Sequence, residues 1–192
     1  MKLRAKHSER EHQIMAKLKG TKTEQNLINA FADESVVRNK YSYFAVQAKR
    51  DGYEQIAGIF EKAANNEKEH ARVWFKLLCE GEIPNTSENL KEAINSESSE
   101  WAISYKRMAE EAKEEGFDNI AFLFESVAAV EKEHEEHFKK LLQSIEDGTI
   151  FSQKGKALWV CRLCGYTTDS ENAPERCPVC EHPQSYFELK KQ

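Results

Sequence analysis

Gly52–His70 reads GYEQIAGIFEKAANNEKEH and Gly116–His134 reads GFDNIAFLFESVAAVEKEH, one phrase written twice, 64 residues apart. Ten of the nineteen positions are identical, and both copies close on Glu-Lys-Glu-His. Residues three apart share a helix face, so Glu67 with His70, and Glu131 with His134, each offer a carboxylate and an imidazole to one point. Two such helices facing each other make a two-metal site. A Glu-x-x-His pair from each of two helices, joined by a Glu from each of two others, is the ligand set of carboxylate-bridged di-iron four-helix bundles.

Outward from each copy the chain reads as helix. Upstream, Leu27, Ile28, Phe31, Val37, Tyr41, Phe44 and Ala48 recur at helical spacing and predict a first helix over about 21–50. Gly52 breaks it, and a second helix is expected over about 53–79, stopped by Gly81 and Pro84. A third is expected from near Glu88 to Glu115, capped by Thr86 or Ser87, and a fourth over about 117–146, ended by Gly148. The seven residues 81–87 span at most ~25 Å, which pushes the expected start of the third helix later still. The architecture read from this pattern is an all-α four-helix bundle of duplicated hairpins, followed by a small C-terminal metal-knuckle β domain.

Spacing alone is weak evidence for a site, because Glu9 and His12 repeat it inside a polar tail. The internal pairs carry more weight. They occupy equivalent points of the repeat, and each has an acid upstream: Glu34 precedes Glu67 by 33 residues and Glu97 precedes Glu131 by 34. Tyr41 and Tyr105 are 64 apart whereas Glu34 and Glu97 are 63 apart, so one residue is extra between Glu97 and Tyr105. A π-bulge absorbs a single extra residue and concentrates at functional sites. Glu100 falls in that interval and is expected to break the symmetry as a seventh potential ligand.

Glu34, Glu67, Glu97, Glu100 and Glu131 on inward faces bury uncompensated charge at several kcal/mol per ion unless metal is present. Carboxylates with two imidazoles suit iron or manganese better than zinc or copper. Glu67 and Glu131 are expected to bridge two ions, and Glu34 and Glu97 each to terminate one. Tyr41 and Tyr105 are placed to orient a ligand carboxylate. His137 reads as a surface histidine because its repeat partner is Val73; His7, His12 and His182 receive no role. Trp74 and Trp101 read as packing residues, and Cys79 as a core or boundary residue.

The other four cysteines form two Cys-x-x-Cys knuckles, Cys161/Cys164 and Cys177/Cys180, with twelve residues between them. Four thiolates at this spacing define a tetrahedral metal site. By spacing alone that site is a zinc ribbon; beside a redox-active bundle it reads as an iron centre that carries one electron, with zinc as a possible substitute. Gly165 follows the first knuckle and permits a left-handed turn, whereas Glu181 stands at the equivalent place in the second, where the turn is either strained or differently shaped.

The organisation expected is a polar N-terminal extension over 1–20, a di-iron bundle over 21–147, a linker over 148–157 and a four-cysteine domain over 158–192. About 35 residues are too few to bury a sufficient core unaided, so a structural metal is the expected substitute. Net charge is −5 with 32% charged residues, which excludes a large cationic field for nucleic acid. No apolar run approaches the ~18 residues of a membrane span. The N-terminal stretch lacks the apolar core of a signal peptide and reads as having no export function, so the expected compartment is the cytoplasm.

These residues resemble the rubrerythrin family: a ferritin-like bundle with doubled Glu-x-x-His motifs, followed by a rubredoxin-like unit. The resemblance runs from Lys19 (KGTKTEQNLINAFADES, then RNKYSYFAVQAKRDGYEQIA) to Glu188 (CPVCEHPQSYFE); Asp33 and Glu181 stand where the family pattern has glycine. It implies a non-haem peroxidase that reduces hydrogen peroxide to water, with electrons from reduced pyridine nucleotide through a reductase and rubredoxin. It also implies Glu34, Glu67, Glu97, Glu100, Glu131 and His134 as ligands of the oxidised centre, with His70 replacing Glu100 on reduction. A head-to-tail homodimer is implied, in which the four-cysteine iron of one subunit approaches the di-iron site of the other. Two other readings remain at this level: a ferritin-like iron-storage protein, and a bundle with structural metals whose zinc ribbon is a docking module.

Overall fold

The computed structural model describes residues 18–190. Glu9, His12, His7 and most of the N-terminal extension lie outside the described residues. The chain divides into two compact units at Pro84/Asn85.

The first unit is a helical hairpin, α1 (Lys22–Arg50) and α2 (Glu54–Leu78). Thr21 caps α1 by accepting from the Glu24 amide at 3.1 Å. Gly52, at φ +83°, ends α1: the Tyr53 amide reaches back to the Ala48 carbonyl at 2.8 Å, which satisfies carbonyls the helix end would orphan. At the end of α2 two successive residues have positive φ, Glu80 at +57° and Gly81 at +95°. Buried alanines of α1 (Ala45, Ala48) and α2 (Ala57, Ala64, Ala71) supply small side chains for close helix packing.

The second unit begins with the helix expected to start at Glu88 or later. It starts earlier, at Thr86, because Asn85 rather than Thr86 or Ser87 is the cap: its side chain accepts from the Glu88 amide, and Glu88 accepts from the Asn85 amide. This reciprocal pair is a capping box. The helix runs as α3 (Thr86–Ser99), a π-helical turn (Glu100–Ser104) and α4 (Tyr105–Glu114), and then reverses at Gly116 into α5 (Asp118–Glu146). The π turn lies where the repeat carries its extra residue. Ala109, Ala112 and Ala121 are buried at the repeat equivalents of Ala45, Ala48 and Ala57, so both hairpins use one packing pattern.

Three strands follow: β1 (Ser152–Cys161), β2 (Thr167–Asn172) and β3 (Phe187–Leu189), antiparallel in the order β2-β1-β3. β1 begins inside the stretch whose composition reads as a linker. That stretch keeps its irregularity as a bulge, with Ser152 opposite Asn172 but Ala157 opposite Ser170, and Gly155 at φ +92° between them. The core of this module is Trp159, Cys161, Ala173, Cys177 and Phe187. Among the described residues no helix is long and apolar enough to cross a membrane.

Candidate metal centres

Three clusters of ligand-type side chains converge, each with its ligand atoms within 4.8 Å of one another: Glu34/Glu67/His70, Glu97/Glu131/His134, and Cys161/Cys164/Cys177/Cys180. In the first, the hairpin brings Glu34 of α1 beside α2, and His70 Nδ1 lies 2.8 Å from Glu67 and 3.6 Å from Glu34. In the second, His134 Nδ1 lies 2.7 Å from Glu131 and 3.8 Å from Glu97. The two triads have the same geometry because the repeat places the same residues one helical turn apart on the same kind of hairpin.

The four carboxylates are largely sheltered, with side-chain exposures of 17–27%, while the imidazoles are about half exposed. Clustered acids need positive charge, and within the described residues their ion pairs are to the two histidines. A hard cation held by oxygen and imidazole fits such donors. Burial first, then a hydrogen bond and charge repulsion from Glu131, hold the Glu97 carboxyl above the usual carboxylate range. A carboxyl raised in this way holds its proton more readily, and a metal ion that binds there displaces it.

Glu100 opens the π turn and is exposed, outside the second triad. Its charge acts on both Glu97 and Tyr105. Burial, and then the charges of Glu100, Glu131 and Glu97, push the Tyr105 hydroxyl upward, so it is a neutral donor close to these acids. Tyr41 sits at the matching point of the first hairpin and packs on Phe44 and Phe60, as Tyr105 packs on Phe124. His137 is exposed.

Sequence reasoning missed Glu135. It is 5% exposed, and its carboxylate accepts from Trp101 Nε1 at 2.9 Å and pairs with Lys139 Nζ at 2.7 Å. The signal was present in the repeat, where its counterpart is the buried Ala71.

In the β module, Cys161 Sγ lies 3.7 Å from Cys180 Sγ, and Cys164 Sγ 3.6 Å from Cys177 Sγ. A tetrahedral ion with metal–sulfur bonds of about 2.3 Å needs sulfur–sulfur edges of about 3.8 Å, so the four thiols fit one ion. The knuckles match in backbone as well. The Cys161 amide donates to Tyr166 and the Gly165 amide to Cys161, as Cys177 donates to His182 and Glu181 to Cys177. Burial raises the Cys177 thiol, but the amides of Cys180 and Val179 together with the Cys180 and Cys164 thiols outweigh it and bring it to about 7, while Cys180, facing the three other thiols, is pushed up to about 12. Cys161 is lowered chiefly by the Cys164 amide. Thiolate is the ligand form, and these amides favour it.

Comparison with known proteins agrees with this geometry. The family profile described as Rubrerythrin matches residues 25–86 and 88–160, and that described as Rubrerythrin, rubredoxin-like domain matches 159–188. The chain is 46% identical to the rubrerythrin of Porphyromonas gingivalis, over 91% of this chain and 92% of that one. It is 42% identical to rubrerythrin-1 of Clostridium acetobutylicum (91% and 97% covered) and 41% identical to the rubrerythrin of Nitratidesulfovibrio vulgaris (91% and 97%). The chain therefore belongs to the rubrerythrin family, with a di-iron carboxylate–histidine domain followed by a rubredoxin-like four-cysteine iron site.

Proposed function

We propose that this member of the rubrerythrin family is a peroxidase that reduces hydrogen peroxide to water in oxidative-stress defence. The observation that carries the reading is the pair of equivalent Glu–Glu–His triads on a chain that also holds a four-thiolate site. In this reading Glu34, Glu67, Glu97, Glu100, Glu131 and His134 would hold two irons in the oxidised protein, with His70 in place of Glu100 after reduction.

The iron pair supplies two electrons when bound, and with two protons these convert one hydrogen peroxide into two waters. The carboxylates of Glu67 and Glu131 are oriented by the Nδ1 atoms of His70 and His134. Anionic ligands favour the higher metal charge, and exchange of a carboxylate for a neutral imidazole favours the lower. Tyr105 keeps its proton near three acids and is the neutral hydroxyl available to orient a ligand carboxylate. Cys161, Cys164, Cys177 and Cys180 would hold an iron that supplies electrons one at a time, drawn from a pyridine-nucleotide-linked reductase and rubredoxin, in a cytoplasmic head-to-tail homodimer.

Stopped-flow oxidation of the reduced, iron-loaded protein by peroxide tests the activity, and failure to oxidise faster than with buffer alone ends it. Within that activity, His70→Ala is expected to retain two irons when oxidised and to lose most peroxide turnover. Unchanged turnover removes the exchange step.

A further inference from the structure

We infer that Glu135 is a positioning residue that pins the π turn through Trp101, and thereby fixes where Glu97 and Glu100 stand relative to Glu131 and His134. Glu135 is the one buried charged side chain among the described residues. Burying a carboxylate is costly unless hydrogen bonds compensate it. It has two donors, Trp101 Nε1 at 2.9 Å and Lys139 Nζ at 2.7 Å. Trp101 follows Glu100. One carboxylate on α5 therefore grips the residue immediately after that acid on the facing helix. The Lys132 ammonium lies 5.4 Å above the Trp101 ring, a second hold on the same side chain from α5.

A π turn needs such a hold. An extra residue in a helix can be accommodated at neighbouring positions, and moving it by one rotates the intervening side chains by about 100° around the axis. Displacement past Glu100 would swing that carboxylate away from Glu97. Anchoring Trp101, the second residue of the turn, to α5 removes that freedom. The repeat supplies the control: α1 has no π turn, and the position equivalent to Glu135 is Ala71, a buried methyl. The buried acid occurs in the copy that carries the extra residue. Trp101, which reads in sequence as a packing residue, is then the link between the helix carrying Glu131 and His134 and the turn carrying Glu100.

The inference rests on the reading of these acids as metal ligands, and its test separates the two. Full-length Glu135→Leu, Glu135→Gln and Trp101→Phe are compared with the parent by amide hydrogen exchange over residues 98–105 in the metal-free chain. Cobalt(II) titration of each is followed by visible absorption. The Leu and Phe variants are expected to exchange faster across the turn and to bind cobalt at the carboxylate sites about 10–100-fold more weakly, with altered d–d bands. The thiolate–cobalt bands stay unchanged and serve as the internal standard. Gln still presents an oxygen to Trp101 and is expected to restore most of both. Parent-like exchange in the Leu and Phe variants, or equal losses in Gln and Leu, overturns the inference. A parent chain that takes up cobalt only at the thiolates overturns the di-iron reading instead, while the exchange data still decide the role of Glu135.

Discussion

Glu181, at φ +59°, occupies in the second cysteine knuckle the place that Gly165, at φ +77°, occupies in the first. The two turns have one shape and different residues, so of the alternatives open in sequence, strain and not a change of geometry is the outcome. A non-glycine residue held left-handed costs about 1–3 kcal/mol, against which glycine forfeits about 0.5–1 kcal/mol of chain entropy. Glu181→Gly is therefore expected to stabilise the iron-loaded module by about 1 kcal/mol, read as a higher denaturant midpoint for bleaching of the thiolate absorbance. A lower midpoint would show that the Glu181 side chain contributes more than its backbone costs.

Protonation of Glu97 gives the metal-free protein a pH dependence of definite sign. Burial and Glu131 raise this carboxyl in the folded chain, so between the unfolded and folded values the native state binds more protons. The stability it contributes is complete at low pH and is lost as pH rises from the usual carboxylate range through the folded value. Metal-free parent protein should thus lose stability over that window relative to Glu97→Gln, which cannot titrate there. Parallel stability-versus-pH curves for the two would contradict the assignment.

Trp159 is fully buried at the centre of the β module, and its Nε1 donates to the Ser170 carbonyl at 3.0 Å. Truncating a buried aromatic costs about 3–5 kcal/mol, more than so small a core can lose. Trp159→Ala should release metal from the four cysteines at ambient temperature, while far-ultraviolet circular dichroism retains the helical signal. Trp159→Phe should weaken the module without emptying it.

Removing the cap at the start of α3 tests the early helix boundary. Asn85→Ala loses the bond to the Glu88 amide and is expected to cost about 1 kcal/mol in global unfolding. The same substitution at Ser87, inside the first turn, is expected to have a much smaller effect.

Much of this was legible in one dimension because the chain states its plan twice. Helix extents followed from apolar spacing and from glycines at the corners, and the two Glu-x-x-His pairs followed from helical periodicity. The extra residue between Glu97 and Tyr105 located the π turn by arithmetic alone. The start of α3 lies earlier than a cap at Thr86 or Ser87 implies, because three adjacent residues are all good caps and only the reciprocal bonds between Asn85 and Glu88 select the first of them. Left-handed geometry at Glu80 was invisible, since Gly81 beside it carried the composition signal.

Periodicity, repeat spacing and ligand type are properties of the chain written linearly, and they sufficed for the helices, both kinds of metal-binding cluster and the family. Which carboxylates lean on which histidines, whether the second knuckle keeps its turn without glycine, and that Glu135 reaches across to Trp101 depended on folding. Each is a contact between residues distant in sequence or a backbone angle imposed by neighbours, and burial then sets its energy.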